Sequence, residues 1–91
     1  MGNVRPKPKR LAEKLRQIRE TLGLSQTEML RNLGLEEEMK YARISEYETG
    51  QREPSLLTLL AYSRVAGIHM EVLADDEADL PDKLPAKAKR A

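Results

Sequence analysis

A chain of 91 residues with 40% apolar content has room for one small domain, whose core must come from close packing of a few elements. With no cysteine and a single histidine, His69, it can build neither a disulfide framework nor a zinc cage, which fits an intracellular setting. The net charge of +1 sets 16 basic against 15 acidic residues, so attraction to nucleic acid has to come from where charge is placed rather than from its sum. That placement is uneven. Arg5, Lys7, Lys9 and Arg10 form a proline-broken basic stretch, in which residues 1–8 read as a flexible arm, and Glu36, Glu37, Glu38 and then Asp75, Asp76, Glu77, Asp79 form acidic blocks. The beginning of the chain has no apolar signal-type region, and no run approaches the ~20 apolar residues that cross a bilayer, so a soluble, cytoplasmic protein is expected.

In chain order, Leu11, Leu15, Ile18 and Leu22 recur at helical spacing, which predicts a first helix over residues 9–22 closed by Gly23. Ser25 stands as an N-cap with Glu28 three residues on, a capping box, and Met29, Leu30 and Leu33 make the apolar face of a short second helix that Gly34 ends. A third helix starts somewhere between residues 36 and 40 and stops at Thr49 and Gly50, with Ile44 and Tyr47 inward. Pro54 and Ser55 restart the chain. Leu56, Leu59, Leu60, Ser63 and Ala66 then keep helical spacing up to Gly67, and a short fifth helix follows over residues 70–73. No stretch alternates with period two for long enough to predict a strand. Residues 9–74 thus make one all-α domain of five helices. Residues 75–91 mix charge with Pro and Ala and carry little apolar surface, which predicts a solvated, disordered tail. The second helix, a brief glycine-bearing connection and the third helix have the outline of a helix-turn-helix.

The residues LRQIRETLGLSQTEMLRNLG, at 15–34, and ISEYETGQREPSLLTLLAYSRVAGIHMEVL, at 44–73, closely resemble the lambda-repressor and Cro-like helix-turn-helix family, often called Xre-type regulators. The most telling parts are LGLSQTE, the I-S-x-Y-E-x-G-x-R-x-P-S run and the L-x-x-L-L spacing after it. The resemblance covers residues 11–73 and implies a five-helix lambda-repressor-like bundle. One feature departs from the pattern. Between Gly34 and Ile44 the chain carries about four residues more than most members, close to one helical turn of ~3.6 residues. The added material is roughly EEEM, where relatives place a Ser or Thr cap. Three carboxylates at a helix start are each favourable to its macrodipole by ~0.3–1 kcal/mol, so the extra turn either extends the third helix or bends away as a separate turn before Lys40. The bent version is preferred, because an extension carries like charge toward DNA phosphates.

By this resemblance the start of the third helix faces base edges in the major groove, here Tyr41, Ala42, Ser45 and Glu46. Tyr41 and Ser45 can donate or accept, Ala42 can touch a thymine methyl and Glu46 can accept from cytosine N4, while Lys40 and Arg43 suit phosphate or guanine. The alternative for Tyr41, three residues before Ile44, is a place in the core stripe. Gln26 matches a position that meets a phosphate and buttresses the third helix. Gln51 and Arg52 match positions near the DNA backbone, although a loop charge is as often simply solvated. Arg19 and Glu48 match a structural ion pair of the family, which a guanidinium and a carboxylate can make bidentately. His69 reads as a surface residue opening the last helix. Leu57, Ala61 and Val65, every four residues along the fourth helix and joined by Val72, form an extra apolar stripe that serves as a subunit interface or is scattered exposed surface.

The expected function is sequence-specific binding of double-stranded DNA by a transcriptional regulator, a repressor acting as a homodimer on an inverted-repeat operator. The alternative is an antitoxin-type or other protein-interaction module on the same fold, engaging a partner through Glu36, Glu37 and Glu38 or through the tail. The sequence offers no enzyme signature, no cofactor motif and no metal-ligand set.

Overall fold

The computed structural model describes residues 8–85, which form α1 (Leu11–Leu22), α2 (Gln26–Leu33), α3 (Ala42–Glu48), α4 (Leu56–Ala66) and α5 (Met70–Ala74). The expected all-α arrangement of five helices is therefore the one adopted. Local chemistry sets most of the boundaries. Ser25 caps α2 through a complete capping box: its Oγ accepts from the Glu28 amide at 3.0 Å, and the Glu28 carboxylate accepts from the Ser25 amide at 2.8 Å. The pairing holds the Glu28 carboxyl below its usual range, first through the Ser25 amide and then through its hydroxyl. Ser55 caps α4 in the same sense, accepting from the Thr58 amide at 3.2 Å. At the far end of α2 the chain turns with Gly34 at φ 76°, a left-handed conformation that other residues adopt only at a cost.

α1 packs on α3, α4 and α5, and α2 packs on α3 and α4. The shared core consists of Leu11, Leu15 and Ile18 from α1, Met29, Leu30 and Leu33 from α2, Ile44 and Tyr47 from α3, Tyr62 and Ala66 from α4, and Leu73 from α5, with Leu84 beyond it. Leu22, expected to complete the α1 stripe, is only half-buried. Near the other end of α1 the inward face includes Lys14. That side chain is buried, and its ammonium donates to the carbonyls of Val72 at 2.7 Å and Asp75 at 2.8 Å. A cation is well placed there, because the last turn of a helix leaves carbonyls unpaired and carries the negative end of the dipole.

Two expectations are corrected. On α4 the predicted series holds at Ser63 and Ala66, which are buried, and at Leu59, which packs against the core, but the inward line also takes Thr58 and Tyr62, and Leu56 is 71% exposed. The cause is that α4 is apolar nearly all round, so periodicity alone does not choose a face; Thr58, bonded to Ser55 at the cap, is buried. The second correction concerns the segment after α5. Expected to be solvated from residue 75, it instead meets the start of α1 and returns to the core, with Leu80 against the core and Leu84 only 2% exposed. The Asp76 carboxylate accepts from the amides of Lys9 at 2.8 Å and Arg10 at 3.0 Å, and Arg10 donates to the Asp76 carbonyl at 2.8 Å and to Asp79 at 2.8 Å. These bonds cap α1, which has no side-chain cap of its own and starts at Leu11 rather than residue 9. Residues 1–7 and 86–91, to which most of the basic arm and the end of the tail belong, lie outside the described residues.

Candidate nucleic-acid interface

The connection between α2 and α3 answers the question that the acidic insertion raises. After Gly34, Leu35 returns to the interior and its carbonyl accepts from the amides of Glu38 at 3.0 Å and Met39 at 3.1 Å, closing a turn in which Glu36, Glu37 and Glu38 are all exposed. The helix does not run on from them. Met39 packs against the core, where the Tyr47 hydroxyl donates to its Sδ at 3.7 Å, and only after Lys40 and Tyr41 does α3 begin. The insertion is thus a separate turn and not an extension of α3, with one apolar anchor and three solvent-facing carboxylates. Glu36 lies 4.0 Å from Arg31.

α3 has two unlike sides. Ile44 and Tyr47 enter the core, and Glu48 is buried beside them. Arg19 donates through Nε to Glu48 Oε2 at 2.6 Å and through Nη2 to Oε1 at 3.0 Å, while Nη1 reaches the Leu24 carbonyl at 2.9 Å. The Glu48 carboxylate raises the affinity of Arg19 for its proton. The bidentate pair expected from the sequence is therefore present, and it ties α1 to α3 and to the loop before α2. Tyr62 lies close by, fully buried, with no hydrogen-bond partner for its hydroxyl among the described residues. Burial pushes this phenol well up, with the Glu48 charge acting in the same direction.

The other side of α3 collects the predicted DNA-facing residues. Tyr41 is 58% exposed, which removes it from the core stripe and leaves its ring and hydroxyl available. Lys40 and Ala42 are exposed, Arg43, Ser45 and Glu46 are half-buried, and Gln26 is half-buried at the start of α2. In the loop after α3, Gln51 and Arg52 are exposed, and their amides donate to the Glu46 carbonyl at 2.9 and 3.2 Å. Gly50, at φ 80°, lets the chain make that reversal. The sequence missed what Glu46 does there. Its Oε1 lies 3.4 Å from Arg43 Nε and 2.9 Å from Arg52 Nε. The i,i+3 spacing of Arg43 and Glu46 on one helix was a readable signal for the first contact, whereas the second needs the fold of the loop.

The stripe named as a subunit contact is divided. Leu57 is 75% exposed, Ala61 and Val65 pack against the core, and Val72 is half-buried. His69 stands exposed at the start of α5, as expected. No helix among the described residues is long and apolar enough to cross a membrane.

No curated protein and no solved structure matches this chain. The helix-turn-helix family model does match, over residues 15–73, a span that contains the capped α2, the inserted turn, α3 and its buried ion pair; the chain belongs to the lambda-repressor-like, Xre-type helix-turn-helix family of DNA-binding regulators.

Proposed function

We propose that the protein is a cytoplasmic, sequence-specific transcriptional repressor that binds double-stranded DNA as a homodimer on an inverted repeat. The observation that carries this reading is the outer side of α3. Tyr41, at the start of α3, and Ala42 and Ser45 on it stand opposite the side that is locked into the core, flanked by the cations Lys40, Arg43 and Arg52. Such a helix can present its first turns to the major groove while Gln26 and Gln51 meet phosphates on either side. A nearly neutral chain gains from pairing, because a dimer doubles the number of phosphate contacts, and Leu57 supplies exposed apolar surface for it. Glu36, Glu37 and Glu38 form an exposed acidic turn at the edge of the unit, which supports a second reading as a docking site for a basic protein partner, as in an antitoxin.

In vitro selection with the purified protein tests the first reading. It should return an inverted repeat, and Arg43→Ala should weaken binding to it strongly. Sedimentation should show a dimer that Leu57→Glu converts to a folded monomer, since an unpaired carboxylate in an apolar contact is costly. Recovery of no preferred sequence, together with capture of a basic protein that Glu36→Gln, Glu37→Gln and Glu38→Gln abolish, would favour the second reading.

A further inference from the structure

Glu46 has the place of a base reader and the contacts of something else. One oxygen of its carboxylate lies against two guanidiniums at once, Arg43 from the same helix and Arg52 from the following loop. Its carbonyl accepts from the amides of Gln51 and Arg52 and, at 3.4 Å, from the Thr49 hydroxyl. Main chain and side chain of one residue therefore set how the loop lies on α3. To read a cytosine, the carboxylate would have to trade its contacts with two cations for a bond to one uncharged amino group, and it would do so facing phosphates. Both arginines use Nε. That choice leaves each guanidinium its Nη pair, the fork that matches guanine O6 and N7 or two phosphate oxygens. The three side chains together carry one net positive charge, so the site favours DNA despite containing a carboxylate.

We propose that Glu46 is a positioning residue and not a base reader: it holds Arg43 on the groove side of α3 to read a guanine and Arg52 in the loop to grip a phosphate. The proposal rests on the DNA-binding reading above and specifies how its site discriminates between sequences. Glu46 acts through its neighbours. Replacing it should alter how firmly Arg43 recognises its base, and should leave the identity of every preferred base unchanged.

The test uses the full chain with Glu46→Gln, which keeps the shape and removes the charge, alongside Arg43→Ala. Melting temperature serves as the folding control. On the selected operator and all its single-base variants, Glu46→Gln should lower discrimination by about fivefold or more at the same position that Arg43→Ala affects, fivefold being the lower end of what one guanine contact supplies. A new preferred base at a position that Arg43→Ala leaves alone would make Glu46 a direct reader and overturn the proposal. Unchanged discrimination at every position would overturn it as well. Without DNA, the Arg52 Nε proton should exchange more slowly in the wild type than in Glu46→Gln by nuclear magnetic resonance, a difference that a purely structural role for Glu46 elsewhere would not produce. Equal exchange in a wild type that selects an operator sinks the positioning role alone. A wild type that selects no sequence sinks the DNA-binding reading and this role with it.

Discussion

Glu46 and Glu48 sit two residues apart on α3, and each faces arginine, yet the two contacts have different physical characters. Glu48 is nearly sealed, with 4% of its side chain exposed, and meets Arg19 through two parallel bonds. Glu46 is open, with 37% of its side chain exposed, and shares one oxygen between two arginines that are themselves 36% and 52% exposed. Removing one member of a buried pair strands a charge away from water, at a cost of about 3–5 kcal/mol. Removing one member of an exposed contact lets water take its place, at ~0–1 kcal/mol. A helix that turns one face inward and the other outward thus carries a strut on one side and an exchangeable contact on the other, made from the same chemistry.

The largest expected effect lies on the strut. Arg19→Ala or Glu48→Ala should each lower stability by about 3–5 kcal/mol in urea unfolding, and the double variant should lose clearly less than the sum. Additive losses would show that the two side chains do not meet in solution, and the contrast with Glu46 would collapse.

Next comes Asp76, which resembles Glu48 in being engaged and Glu46 in being open to water. The Lys9 amide, and after it the Arg10 amide, hold its carboxyl below the usual range. A carboxyl depressed on folding contributes stability that is complete above its unfolded value of about 3.9 and is lost as pH falls through its lower folded value. Asp76→Asn should therefore lower the melting temperature at neutral pH, and the gap to the wild type should close on acidification below about pH 4. A gap that stays constant to low pH would mean that the carboxylate does not cap α1.

Smaller again is the stability effect of Glu46→Ala, expected within about 1 kcal/mol, measured by the same urea titration. A loss as large as that of Glu48→Ala would erase the distinction between the two sides of α3. Smallest is the joint change of Glu36, Glu37 and Glu38 to glutamine. Stability should move by no more than ~0.5 kcal/mol, while affinity for random duplex rises as local repulsion from phosphates is removed. Salt titrations on random and selected duplex check this, and unchanged affinity on both would show that the turn points away from DNA.

What could be read in advance followed the range of the interaction. Ser25 with Glu28, Ser55, and the left-handed glycines act within a few residues, and they marked α2, α4 and the helix ends well. The start of α3 was blurred because Tyr41 precedes it with no side-chain cap, so no local signal set the boundary between residues 36 and 42. The inward face of α4 was partly hidden by an excess of apolar residues. Asp76 and Leu84 were invisible for another reason: the partners of Asp76 are Lys9 and Arg10, far away in the sequence, and composition reports only how apolar a segment is, not whether one leucine joins the core. At the candidate site, the residue types facing outward on α3 were legible from spacing and resemblance. The engagement of Glu46 by Arg52 was not, because it depends on how the loop after Gly50 returns.

The cap that Asp76 places on α1 has a consequence for biosynthesis. Arg10 and Asp76 are 66 positions apart, so a ribosome delivers α1 long before it delivers the carboxylate that completes the helix start, the carbonyls of Val72 and Asp75 that receive Lys14, and the leucine that closes the core. The first helix must wait with a lysine on its apolar face and amides unpaired, while α2, α3 and α4 are made and exited in turn. Domains generally settle as units as they emerge. In this chain the unit closes only with residue 84, so stalling or cleavage between the end of α3 and that point yields a polypeptide that holds α3 but lacks the last part of its core.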